Sequence, residues 1–258
     1  MHHKSIGFIG GGRITRIFLA GWARVGKLPA NIVVSDCNAD ALARIKAKWP
    51  EVQTASVNAA AAGQDIVFLA VHPPVLAKVC GGIKGALKPG ALVVSLAPRF
   101  TVAKLTGLLG GFGRIARVIP NAPSIIGAGY NPVCFAASLT ESDKSELKGL
   151  LEPLGECPEV AEEKLEAYAV ITAMGPTCLW FQLQALREVA AGFGLRDAEI
   201  VPALKRMVCG SARTLLESGL TPPEVMDLIP LKPLTEMEAH VNELYRARLP
   251  AIYQKIKP

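Results

Sequence analysis

The chain has 258 residues, half of them hydrophobic and 19% charged. That suffices for one large or two modest domains with a sizeable core, and it excludes a disordered chain. The net charge is +6, but Lys and Arg are scattered. The densest groups, Arg44/Lys46/Lys48 and Arg246/Arg248, form no run, which reads as solvated faces and argues against nucleic acid as a partner. Cys37, Cys80, Cys134, Cys157, Cys178 and Cys209 make no C-x-x-C. Their spacing argues against zinc and against a disulfide framework, and favours a reducing cytoplasm. The start, MHHKSIGFIGGG, has no signal-peptide apolar region before the first strand.

Ile6, Phe8 and Ile9 form a short apolar run that predicts a buried strand. Gly10, Gly11 and Gly12 follow at once, and from Ile14 to Ala23 the apolar residues recur at helical spacing. Strand, glycine turn and helix together make a dinucleotide-site pattern. Gly10 permits the tight turn, Gly12 lets a pyrophosphate approach the backbone, and the helix offers free N–H groups. The third small position of the pattern is Thr15, bulkier than the usual Gly or Ala. Asn31–Ser35 reads as a second strand ended by Asp36. An acidic residue there either meets the adenosine ribose 2′-hydroxyl, favouring NAD, or serves as a turn residue or N-cap of the next helix. Ser35, Cys37 and Asn38 leave NADP open, with Arg13 available for its 2′-phosphate.

Helices are predicted over Ala39–Lys48 and Asn58–Ala62. The run Asp65–Val71 is nearly all apolar, as a parallel strand covered on both faces should be. His72 then lines the crevice at the strand's carboxyl end or caps the loop. Helix Val75–Leu87, strand Ala91–Leu96, helix Thr101–Leu109 and strand Arg114–Ile119 continue the alternation, which predicts a doubly wound parallel sheet of Rossmann type. After Thr140 the pattern turns helical, with a capped start at Thr140–Asp143. Ala167–Leu186 holds twenty residues without a charge. Gly175-Pro176 and several polar side chains interrupt it, so it reads as a buried helix, in a core or between subunits, and not as a membrane span. A helix capped by Asp197 runs to Ser218, Pro222–Leu228 is a short turn of helix, and Pro233–Lys255 closes the chain. The expected architecture is α/β, with a dinucleotide-binding domain over 1–158 and an all-α domain over 159–258.

Several segments, in order, resemble the pyrroline-5-carboxylate reductase family. GFIGGGRIT resembles GFIGAGNMA, LAVHPP resembles LAVKPQ, and VVSLAPRFT resembles VISIAAGVS. RVIPNAPSIIGAGYN resembles RVMPNTPALVGAGMT, and GSARTLLESGLTPPEVMD resembles the family's penultimate helix. The resemblance implies reduction of a cyclic imine by NAD(P)H, as in proline biosynthesis. It implies cofactor contacts at Gly10, Gly12, Arg13, Ile14, Ser35, Asp36, Asn58, Ala70, Val71, His72 and Pro73. It further implies that Ala97 and Pro98 line the nicotinamide side, that Asn121 lies near a domain junction, and that the helical domain forms a homodimer or larger homo-oligomer.

The departures cluster where substrate should bind. The family's SGSGPAY stands here as Thr172-Ala173-Met174-Gly175-Pro176-Thr177-Cys178. Thr172, Met174, Gly175 and Pro176 are therefore the substrate-side candidates. The loop VTSPGGTT, whose amides and hydroxyls hold the substrate carboxylate, stands here as Leu228-Ile229-Pro230-Leu231-Lys232-Pro233-Leu234-Thr235. Its glycines are gone, and proline has no N–H to donate. AAGV has become Ala97-Pro98-Arg99-Phe100, which brings a cation to the nicotinamide side. Lys232 is a candidate point charge for the carboxylate. Thr235 is the candidate proton donor to the imine, or else an N-cap supported by Glu238. Two other readings stand beside imine reduction. One is a non-catalytic dinucleotide-binding homologue. The other is a dehydrogenase of the β-hydroxyacid type, against which the absence of lysine from Ala167 to Leu186 counts.

Overall fold

A computed structural model of the chain describes residues 4–258; Met1, His2 and His3, on which the reading of the chain's start partly rests, lie outside the described residues. Five short apolar segments become parallel strands: β1 (Ile6–Ile9), β2 (Ile32–Ser35), β4 (Ile66–Leu69), β5 (Leu92–Ser95) and β6 (Ile115–Val118). They are joined by β3 (Gln53–Ala55) and β8 (Val133–Phe135) in the order β3-β2-β1-β4-β5-β6-β8, and only β8 runs antiparallel to its neighbour. A second, two-stranded sheet pairs β7 (Gly129–Tyr130) with β9 (Gly155–Glu156). The sheet carries helices on both faces. Alternate residues Ile6, Phe8, Phe68 and Val94 face one core, with α1 (Arg13–Arg24), α2 (Ala39–Lys48) and α6 (Glu141–Leu151). Ile9, Val67, Leu69 and Val93 face the other, with α3 (Asn58–Ala62), α4 (Pro73–Ile83) and α5 (Val102–Leu108). The first core centres on stacked Phe8 and Phe68, 4.7 Å between ring centroids, with Phe18 and Trp22 of α1 set against them. The Trp22 indole donates to the Leu150 carbonyl at 2.8 Å, so its buried N–H is satisfied and α1 is tied to α6.

Local chemistry sets the helix limits, and in places it moves them from the sequence expectation. Helix α4 starts at Pro73, two residues earlier than its apolar periodicity suggests, because Pro73 and Pro74 occupy positions whose N–H groups have no helical acceptor. Thr140 and Asp143 form a reciprocal capping box at the start of α6. Helix α9 (Asp197–Glu217) is preceded by Arg196 as its cap residue, so Asp197 is the first helical residue and not the cap. The carboxylate of Asp197 pairs instead with Arg187, at 2.6 and 3.1 Å.

The chain forms two compact units: one reaches Met174 and takes in Ile252–Pro258, the other is Gly175–Ala251. In the first, a short helix α7 (Leu165–Tyr168) runs into a π-helical stretch, Ala169–Met174. Pro176 has no N–H for the carbonyl four residues back, and that carbonyl, of Thr172, accepts from Asn121 Nδ2 at 3.2 Å. The second unit consists of α8 (Pro176–Gly192), α9, α10 (Pro222–Asp227) and most of α11 (Thr235–Ile256). Of the two places expected for this apolar stretch, a core or a subunit interface, the chain's own core does not take α8: it buries no residue, and Trp180 and Phe181 are 53% and 68% exposed. No helix among the described residues is long and apolar enough to cross a membrane.

The edge of the sheet opposite the glycine turn is clasped by Asp65. Its Oδ2 accepts from the Ser5 N–H and hydroxyl at 2.8 and 2.7 Å, and its Oδ1 accepts from Lys88 at 2.7 Å. The hydrogen bond from Lys88, then those from Ser5, hold the carboxyl at a pKa of about 2, against an ordinary 3.8. A folded-state pKa below the unfolded one gives stability that is complete above about pH 4 and is lost as pH falls toward 2. Denaturation midpoints measured between about pH 6 and pH 2 should therefore fall more steeply for the native chain than for Asp65→Asn, which lacks the titrating group.

Candidate functional site

The glycine turn sits between β1 and α1. Gly10 has φ +110°, and a Cβ there would stand 2.6 Å from the Ala70 carbonyl oxygen. Both the backbone conformation and the approach of the β4 end therefore require glycine. Gly12 differs, since a Cβ on it would meet nothing within 4 Å. It is the N-cap residue of α1, without a side-chain cap, and the helix has no acidic residue in its first turn. The first N–H groups of α1, from Arg13 and Ile14 onward, thus meet open space with the positive end of the helix dipole behind them. This is a cradle that fits a pyrophosphate. Thr15, fully buried, donates its hydroxyl to the Gly10 carbonyl, so the bulkier residue is absorbed by fastening the turn.

Asp36 is the rim of the same turn. Its Oδ2 accepts the Gly11 N–H at 2.7 Å and its Oδ1 the Asn38 N–H at 2.8 Å. Asn38 is the cap of α2, accepting from the Ala41 N–H at 3.1 Å, so the capping alternative for Asp36 does not hold. Two amides hold the carboxylate at the carboxyl end of β2, where a dinucleotide presents its adenosine ribose. Ser35 beneath it is fully buried, its hydroxyl donating to Asn58 Oδ1 at 3.1 Å. Ala70, Val71 and Pro73, partly exposed, follow β4; His72 is exposed and occupies the N-cap position of α4 without making a side-chain capping bond.

Past β5 come buried Ala97, partly exposed Pro98, and Arg99, which has φ +76°. It is the single non-glycine residue with positive φ among the described residues. The Arg99 N–H donates to Glu166 Oε1 at 3.0 Å, and the Val102 N–H to Glu162 Oε1 at 2.7 Å. Both carboxylates are gripped by the buried guanidinium of Arg117 on β6, with 2.9 Å to Glu162. The sequence reading passed over this clamp. Its signal was an arginine inside the apolar run RIARVI, since a cation in a buried strand requires a partner, and Glu162 and Glu166 stand one helical turn apart.

Asn121 is buried: its Nδ2 donates to the carbonyls of Tyr130 and Thr172, and its Oδ1 accepts the Tyr130 N–H at 3.3 Å and the Ser124 hydroxyl at 3.4 Å. Thr172 in turn donates its hydroxyl to the Tyr168 carbonyl at 2.8 Å. The first unit thus gathers the cofactor candidates with Thr172 and Met174, while Gly175, Pro176, Lys232 and Thr235 belong to the second. Lys232 and Thr235 are exposed, and Thr235 Oγ1 donates to the Lys232 carbonyl at 2.9 Å. Thr235 is the first residue of α11 and points its hydrogen bond backward, so it is not the expected cap of that helix.

A parallel sheet wound on both faces, with an open glycine turn at the switch in strand order, defines a dinucleotide-binding oxidoreductase architecture. The family model described as NADP oxidoreductase coenzyme F420-dependent matches residues 5–99. Pyrroline-5-carboxylate reductase of Escherichia coli (strain K12) is 29% identical over 227 residues, covering 88% of this chain and 84% of that protein. The structure of a pyrroline-5-carboxylate reductase from Coxiella burnetii superposes with TM-score 0.74 at 27% identity, covering 99% and 98% of the two chains. Plasmodium falciparum pyrroline carboxylate reductase, solved with NADP bound, shares the fold at TM-score 0.82 and 21% identity, covering 100% and 98%. Over most of its length the chain is similar to pyrroline-5-carboxylate reductases.

The two glycines separate stability from binding. Gly10→Ala should lower unfolding free energy by more than about 2 kcal/mol in urea titrations, from left-handed strain plus the Ala70 clash. Gly12→Ala should cost less than about 1 kcal/mol, yet weaken NAD(P)H binding if the open space beside Gly12 receives the phosphates, because its methyl group enters that space.

Proposed function

We propose that this protein is an NAD(P)H-dependent imine reductase of the pyrroline-5-carboxylate reductase type, acting in the cytoplasm in the manner of proline biosynthesis. The observation that carries this reading is the intact turn at Gly10–Gly12 in a chain that is like the Escherichia coli enzyme over 88% of its length. Bound dihydronicotinamide supplies the hydride. The chain's own residues position it: the α1 N-terminus and Arg13 take the phosphates, Asp36 the adenosine ribose, Ile14, Asn58, Ala70, Val71, His72 and Pro73 line the cofactor's path, and Ala97 and Pro98 wall the nicotinamide side and exclude water. Asp36 favours NAD, and Arg13, exposed directly after the glycine turn, offers a cation to the additional phosphate of NADP. Thr172, Met174, Gly175 and Pro176 are the substrate-side residues, and Lys232 offers a cation to the substrate. The Thr235 hydroxyl, freed from the Lys232 carbonyl, delivers a proton to the imine nitrogen.

The protein acts as a homodimer or larger homo-oligomer through its C-terminal helices. Trp180, Phe181, Phe193 and Leu216 are 53–80% exposed in the single chain. Apolar side chains of that size gathered in one unit are the mark of a surface that a second copy covers.

NADH and NADPH oxidation, measured with and without pyrroline-5-carboxylate, tests the reading. Substrate-dependent oxidation is expected, with kcat lowered about 10²-fold or more in Thr235→Ala. Cofactor binding without turnover would favour a non-catalytic homologue, which the altered loop Leu228–Thr235 makes the second reading. Reduction of NAD(P) by a hydroxyacid would establish a dehydrogenase instead.

A further inference from the structure

Arg99 combines a left-handed backbone, a rigid surrounding frame and an exposed side chain. Its backbone is left-handed, at φ +76°, a conformation that penalises any residue bearing a Cβ. The resembled motif has glycine at this position, where the same backbone is free of strain. The strain is sustained by a rigid frame: Glu166 holds the Arg99 N–H, Glu162 holds the Val102 N–H, and buried Arg117 holds both carboxylates. Strain of this kind persists where the surroundings over-determine the backbone, and it concentrates at functional sites.

The side chain, by contrast, is uncommitted. Arg99 is exposed, and no hydrogen bond or ion pair of its guanidinium is found among the described residues. The neighbouring strand-borne arginine, Arg117, is paired, and so is Arg114 with Asp143. Arg99 stands just past the carboxyl end of β5, beside β4 in the sheet, on the edge where an open parallel sheet takes its ligands. The loop Leu228–Thr235 meanwhile has no glycine and carries Pro230 and Pro233, so it has fewer amides for a carboxylate than the family's loop.

We propose that Arg99 is the carboxylate anchor of the substrate site, its guanidinium taking both oxygens of a cyclic imino acid. A planar, always-charged fork on a fixed backbone suits bidentate capture of a carboxylate. This rests on the imine-reductase reading above and assigns to Arg99 the preference for carboxylated cyclic imines over neutral ones.

The test compares steady-state kinetics of the full chain on pyrroline-5-carboxylate and on neutral 1-pyrroline, for the native protein and Arg99→Gln, Arg99→Lys and Arg99→Gly. Arg99→Gln should raise KM for the carboxylated imine at least ~10-fold, the order expected for one charge-assisted bidentate contact. Its kcat, its KM for 1-pyrroline and its cofactor KM should stay within about two-fold. Arg99→Lys should fall between. Arg99→Gly should lose the anchor while melting no lower than the native chain, because glycine relieves the left-handed backbone. Equal effects on both imines, an unchanged KM, or an effect confined to the cofactor would overturn the proposal. Turnover of neither imine by the native protein would reject the imine-reductase reading itself, and the anchor with it.

Discussion

The constraint on which the crevice depends is the approach of Gly10 to the end of β4. Strand order reverses between β1 and β4, since the chain winds outward through β2 and β3 on one side and through β5 and β6 on the other. At that reversal the two connecting segments part and leave a crevice at the carboxyl edge of the sheet. Gly10 lies against the Ala70 carbonyl at this point, and only a residue without Cβ fits. The rest of the crevice is organised from there. Thr15 fastens the turn from within α1, Asp36 fastens it from β2 through the Gly11 amide, and the open face of Gly12 remains for a ligand.

The other end of the crevice is built by charge. Arg117 is 1% exposed, and an unpaired guanidinium there would be untenable. The same Oε1 atoms of Glu166 and Glu162 that accept from Arg117 also accept the amides of Arg99 and Val102. A buried ion pair adds little stability over well-packed apolar residues, but it fixes geometry. Here it fixes the loop after β5, beside which the nicotinamide side of the proposed site lies. One end of the crevice thus depends on glycine and sterics, and the other on a buried cation.

The parallel strands were legible because strands covered on both faces read as continuous apolar runs; Ile66–Leu69 and Leu92–Ser95 are fully buried. β3 escaped notice because Gln53–Ala55 is a partly exposed edge of three residues with no apolar run. The capping box at Thr140 was legible because it is made by residues three apart, whereas the Arg117 clamp joins residues 45 and 49 apart in the chain. Composition revealed that Ala167–Leu186 is apolar but not what covers it. Among the described residues Trp180 and Phe181 stay more than half exposed, and Pro176 follows a π-helical stretch. Asp36 shows the same limit at the site: an acidic residue after β2 was visible, but not that Asn38 would take the cap of α2 in its place.

In the proposed reaction, hydride passes from a nicotinamide bound at the Gly10–Gly12 turn to an imine carbon. The most direct measurement incubates the protein with pyrroline-5-carboxylate and reduced cofactor deuterated on its transferable position, then examines the product by mass spectrometry and NMR. The result expected is proline carrying a single deuterium on the ring carbon that belonged to the imine. Proline without deuterium, or cofactor bound with no proline formed, would contradict it.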